Sequence, residues 1–85
     1  MSTLAAKELR FDEHTMWVEL DDGRTLGVPL AWFPRLMAAR KEQLVQYFIS
    51  ASGNGLHWDE LDEDISVAGL LAGRGDLTHQ GQSAA

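Results

Sequence analysis

This sequence has no cysteine, two prolines, one tyrosine and only seven lysines and arginines among its 85 residues. Without cysteine there is neither a disulfide framework nor a thiolate metal site. Positive charge is scarce against thirteen Asp and Glu, which leaves a formal net charge of −6. A nucleic-acid footprint needs clustered Lys and Arg to neutralise phosphates, so direct nucleic-acid binding is disfavoured. The same balance favours attraction to a basic partner. No apolar run approaches the roughly 20 residues of a membrane-spanning helix, and the N-terminus carries no long apolar stretch. A soluble cytoplasmic protein with no membrane contact is the default expectation.

What is present reads as one small globular domain. Hydrophobic residues make up 45% and charged residues 24%, which is the composition of a folded domain rather than of a disordered chain. Residues 1–6 carry no pattern and are expected to be a flexible N-terminus. Residues 7–73 hold all the periodic segments. Residues 74–85, with their Gly, Ser and Gln, read as a disordered C-terminal tail.

Leu9 and Phe11 alternate with polar neighbours and suggest a short strand around residues 7–12. Asp12 to Thr15 reads as a turn. Met16–Leu20 and Thr25–Pro29 are β-type runs separated by Asp21-Asp22-Gly23. A two-residue turn would scatter the apolar residues over both faces. A three-residue loop with Gly23 left-handed pairs Leu20 with Arg24, Val18 with Leu26 and Met16 with Val28, which gives one apolar face. It also sets Trp17 opposite Gly27, where an indole can cover bare backbone. Pro29 ends the strand.

Leu30–Ala39 is helical with Pro34 in the first turn. Phe33, Leu36 and Met37 follow at i, i+3 and i+4, and Trp32 sits just before them as a plug. Another helical turn is expected over Arg40–Leu44. Tyr47–Ser50 reads either as a strand or as the end of that helix. Ser52–Gly55 is a turn, and Leu56–Trp58 is short and apolar enough to pair as a strand. Ser66 is a candidate N-cap for a last short helix carrying Leu70 and Leu71 and ended by Gly73. The expected fold is α+β: a small antiparallel sheet, hairpin or meander, packed with short helices in a single domain. Phe33, Leu36, Trp32, Trp58, Ile65 and Leu70 are its expected core.

Asp59-Glu60-Leu61-Asp62-Glu63-Asp64 places five acids in six positions between apolar anchors. It fails as a calcium loop: Leu61 and Glu63 fill the third and fifth positions, where Asp or Asn is needed, and Leu70 fills the twelfth. His14, His57 and His79 lack zinc spacing. The Ser residues lie in no nucleophile-elbow pattern. Gly53-Asn54-Gly55 lacks the third glycine and the following helix of a phosphate cradle. No cofactor, metal or catalytic activity is therefore expected. Arg35, Arg40 and Lys41 form the one basic cluster, read as a solvated helix face. His57, between Leu56 and Trp58, reads as a structural or edge residue. Trp17 points away from the apolar face, so it is either covered by further structure or exposed as an interface anchor.

Three stretches carry a family resemblance. They are Val18-Glu19-Leu20-Asp21-Asp22-Gly23-Arg24, then Val28-Pro29-Leu30-Ala31-Trp32-Phe33-Pro34-Arg35-Leu36, and then Gly55-Leu56-His57-Trp58 with Leu61-Asp62-Glu63-Asp64-Ile65-Ser66-Val67 and Gly69-Leu70-Leu71. In this order they resemble the bacterial family called domain of unknown function 2442, over about residues 8–73. The resemblance implies a small α+β domain with a short antiparallel sheet. It also implies a small, antitoxin-like partner protein encoded beside a second small protein. Some members carry an added DNA-binding helix-turn-helix; nothing after Gly73 here is long or patterned enough to supply one. The middle of the chain departs from the family pattern, since Arg40 follows Ala39 and Leu44 stands where an arginine is usual.

The functional expectation is a non-catalytic protein-binding module for a small basic protein. Trp17, Asp59, Glu60, Asp62 and Glu63 are its candidate contact residues. A DNA-associated regulator acting through a partner is one alternative, and a small ligand-binding protein or enzyme is another. Homo-oligomerisation is left open.

Overall fold

A computed structural model describes residues 4–73 of the chain. It contains two three-stranded antiparallel sheets of the same simple topology, β1-β2-β3 and β4-β5-β6. The first comprises β1 (Ala6–Phe11), β2 (Thr15–Leu20) and β3 (Thr25–Pro29). The second comprises β4 (Phe48–Ile49), β5 (Gly55–Trp58) and β6 (Glu63–Ser66). A 3-10 turn over Leu30–Trp32 and two short helices, α1 (Pro34–Ala38) and α2 (Lys41–Leu44), connect them, and α3 (Val67–Leu71) follows β6. The expected α+β architecture is correct, with its β-structure divided into two meanders.

The first sheet has the register that side-chain parity demands. Met16 pairs with Val28, Trp17 with Gly27 and Val18 with Leu26. The Leu20 N–H donates to the Arg24 carbonyl at 2.8 Å, and Gly23 sits at φ +93° in the loop between them. Met16, Val18, Leu20 and Val28 are buried, and Leu26 packs against them half-buried. Across the domain they meet Leu30, Phe33, Leu36 and Leu44 from the helical link, and Leu56, Trp58, Ile65, Val67 and Leu70 from the second sheet and α3, in one core.

The sheets are joined by polar contacts as well as by packing. The Ala6 N–H donates to the Gly53 carbonyl at 2.7 Å, while within the first sheet the Asp21 N–H donates to the Ala5 carbonyl at 2.8 Å. The Tyr47 hydroxyl accepts from the Leu9 N–H at 3.2 Å and faces the Leu9 carbonyl at 3.4 Å. Segment 4–6, expected to be loose, is therefore held: Ala6 is buried, and the unpatterned sequence there hides strand pairing made with residues far along the chain. The expected tail, 74–85, lies outside the described residues. Tyr47–Ser50 resolves to a strand at Phe48–Ile49, which pairs with β5.

Four local expectations are met and one fails. Pro34 takes the first turn of α1. Ser66 caps α3 by accepting from the Gly69 N–H at 2.9 Å, and Gly73 ends it at φ +79°. Trp58 is 1% exposed, and its indole N–H donates to the Leu44 carbonyl at 2.9 Å, which satisfies its polar edge inside the core. Trp32 is not a plug: it is 37% exposed, because the 3-10 turn directs Leu30 inward instead.

Candidate functional site

The two outer sheet faces differ in how their side chains are satisfied. On the first, register sets Arg10, Trp17 and Gly27 in one row across three strands. The indole of Trp17 lies so close over Gly27 that a Cβ there would stand 2.7 Å from Cζ3. Its N–H donates to the Asp12 carboxylate at 3.0 Å. That bond, with those from the His14 and Thr15 N–H groups, holds the Asp12 carboxyl below its ordinary pKa. Arg10 is answered by Glu19 at 3.0 Å. Trp17 covers the Gly27 backbone and leaves 37% of its own surface in water.

On the second sheet the equivalent row is Phe48, His57 and Asp64. Strand alternation explains it. Leu56 and Trp58 point into the core, so His57 points out; Ile65 points in, so Asp64 points out. Phe48 is 58% exposed. The His57 ring is bracketed by carboxylates, with Nδ1 2.5 Å from Asp64 and Nε2 2.5 Å from Asp59. These bonds, Asp64 first, raise the imidazole above its ordinary value of 6.5.

The acidic run is split by the fold. Asp59 to Asp62 form the β5–β6 turn, closed by the Asp62 N–H donating to the Asp59 carbonyl at 3.2 Å. Asp62 has φ +53°, a left-handed conformation that Asp tolerates better than most residues. Asp59, Glu60, Asp62 and Asp64 are exposed. Glu60 accepts from the Gln43 amide at 3.2 Å.

Glu63 is different. It is 8% exposed, because it shares strand parity with Ile65 and turns inward. Its carboxylate lies 3.6 Å from the Arg35 guanidinium, which also donates to the Asp62 carbonyl. Burial removes Glu63 from the outward acidic surface. Arg35, read as part of a solvated helix face, is exposed and also ties α1 to the start of β6. Arg40 stands 3.9 Å from Glu42.

The structure therefore brings Asp59, Glu60 and Asp62 together on one turn, puts Trp17 on the other sheet and buries Glu63. Sequence reasoning missed Phe48, and it did not count Asp64 among the candidate contact residues. It also saw His57 without its two carboxylates. Strand parity around Trp58 and Ile65 was the available signal. Among the described residues no group of three or more His, Asp or Glu can hold a metal ion. At His57 the two carboxylates lie at opposite ring nitrogens, so one ion cannot reach all three. A shallow groove between the β5–β6 pair and α3 is lined by Leu4, Asn54, Gly55, Ile65, Ser66, Ala68 and Leu71, none of them titratable. No helix among the described residues is long and apolar enough to cross a membrane.

Fold and surface together define a small α+β domain of two β-meanders around one core. The chain belongs to the family described as protein of unknown function (DUF2442), whose model matches residues 6–76. A crystal structure of a protein of unknown function from Rhodospirillum rubrum is 34% identical, with a TM-score of 0.77, over 88% of this chain and 93% of that one. The solution structure of an uncharacterised protein from Chromobacterium violaceum is 28% identical, with a TM-score of 0.76, over 94% of this chain and 76% of that one. No curated protein matches the chain.

Proposed function

We propose that this domain is a protein-binding module that docks a small basic protein through the β5–β6 turn and the adjoining outer face of the second sheet. The observation that carries the reading is the fixed turn: Asp59, Glu60, Asp62 and Asp64 are exposed and held by strand pairing on both sides. Phe48 stands in the same surface row and offers an aromatic face for the cations of a basic partner. An antitoxin-like role, in which the domain neutralises or stabilises that partner, is the form of binding that the family resemblance suggests.

A rigid acidic patch acts mainly on association rate, and salt weakens it. The test uses the partner captured by the tagged full chain from its own host. Glu60→Gln with Asp62→Asn removes two charges without touching the His57 contacts, and Asn suits the left-handed position. Slower association and a flatter salt dependence support the reading. Unchanged rate and salt dependence sink it.

A further inference from the structure

We propose that His57 is a proton-operated staple that regulates the acidic surface: protonated, it ties Asp59 in the turn to Asp64 on β6; deprotonated, it lets Asp59 go. The functional consequence rests on the docking role proposed above, but the device itself is a property of the free domain.

The argument begins with the ring. A neutral imidazole carries one N–H and can donate to one carboxylate only; its other nitrogen then presents a lone pair. Here both nitrogens lie 2.5 Å from carboxylate oxygens. Two such contacts fit only the ring with a proton on each nitrogen. Loss of one proton sets a lone pair against an anionic oxygen, and that carboxylate must move.

The fold decides which one moves. Asp64 lies directly opposite His57 in the β5–β6 ladder, and its position is set by strand pairing. Asp59 belongs to the turn, whose closing hydrogen bond is the 3.2 Å contact to Asp62. The deprotonated ring therefore keeps its Nδ1–H on Asp64 and releases Asp59. Among the described residues, the charges that act on the ring are those of Asp64 and Asp59. From β4 the residue opposite His57 is Phe48, and Glu60 is engaged by Gln43. With the ring exposed at the surface, both carboxylates raise its pKa, which places the transition above 6.5.

Charge follows from the proton. The His57–Asp59–Asp64 group carries a net charge of about −1 with the staple closed and about −2 with it open. A rise in pH thus makes the turn more negative and freer, and strengthens its pull on a basic partner. A fall in pH closes and partly neutralises it.

The test is a pH titration of the full chain followed by nitrogen and carbon NMR. Below the transition both ring nitrogens of His57 should carry protons. The midpoint should lie above 6.5, and the Asp59 carboxyl carbon and the amides of residues 59–62 should move with the same midpoint. Asp59→Asn and Asp64→Asn should each lower that midpoint. In His57→Gln the turn amides should lose their response over that range. A His57 midpoint at or below 6.5, or turn signals that ignore the transition, would overturn the proposal. Every readout comes from the free protein, so the staple can fail while docking survives. Docking fails only on the binding kinetics of the Glu60 and Asp62 variant.

Discussion

The two sheets share one topology and differ in what their outer faces do with polar groups. In the first, the Arg10–Trp17–Gly27 row is closed on itself: the indole covers the glycine, its N–H is held by Asp12, and Arg10 is paired with Glu19. In the second, the Phe48–His57–Asp64 row is open. It has an exposed aromatic, an imidazole held by acids on both sides, and a turn of carboxylates at its end. The inner faces both feed one core, and the second also turns Glu63 inward. The first sheet's outer row satisfies its polar groups within itself, while the second leaves charge and aromatic surface exposed.

The sharpest way to break the shared core is from the second sheet. Trp58→Ala removes a fully buried side chain and orphans the Leu44 carbonyl. It should cost about 3–5 kcal/mol, a large part of the stability of a domain this size. Urea or thermal unfolding would read it, and an unchanged melting temperature would take Trp58 out of the core.

Two glycines then compare the seam with a hairpin tip. Both have positive φ. At Gly53 a Cβ would sit 2.5 Å from the Ala5 Cβ, whereas at Gly23 it would meet nothing within 4 Å. Gly53→Ala should cost about 2–5 kcal/mol, left-handed strain plus overpacking. Gly23→Val carries strain alone, about 1–2 kcal/mol. Equal losses in parallel denaturant titrations would show that the sheets do not touch there.

Gly27→Ala probes the closed row. The Trp17 indole must tilt outward, and its bond to Asp12 weakens. Half-exposed aromatics can yield, so the loss should be about 1 kcal/mol, at the low end of overpacking costs. A red shift in tryptophan emission should accompany it. Emission identical to wild type would mean that the indole does not lie on Gly27.

The smallest effect is the pH dependence from the open row. His57 has a folded pKa above 6.5, so its contribution to stability is complete below about pH 6.5, its unfolded value, and is lost as pH rises through the folded pKa. The gap in melting temperature between wild type and His57→Gln should therefore be widest at about pH 6 and shrink at higher pH. A gap that grows with pH would reverse the sign of the linkage.

How far the sequence could be read divides along the same line. The first hairpin was legible because a glycine at the loop and strict alternation leave only one register with a single apolar face. Pro34 and Ser66 were legible for similar local reasons. The second sheet was less so. Its turn is closed by Asp62 at positive φ instead of by a glycine, and a run of acids masks the alternation that sends Glu63 in and Asp64 out. Ala6 and Trp32 were misjudged because their burial is set by partners distant in sequence: Gly53 for the first, and the inward choice of Leu30 for the second. The candidate surface was half visible. Its acids could be counted, but Phe48 joins them only through pairing with β5.

The central claim is that a basic partner meets the second sheet and not merely an acidic protein. Two double variants of equal charge test it: Glu60→Gln with Asp62→Asn on the second sheet, and Glu8→Gln with Glu13→Gln on the first. Their association rates with the captured partner should be measured across salt concentration. The account predicts slower, less salt-sensitive association for the second-sheet pair and near wild-type behaviour for the first-sheet pair. Equal slowing by both pairs, or slowing by the first-sheet pair alone, would contradict it.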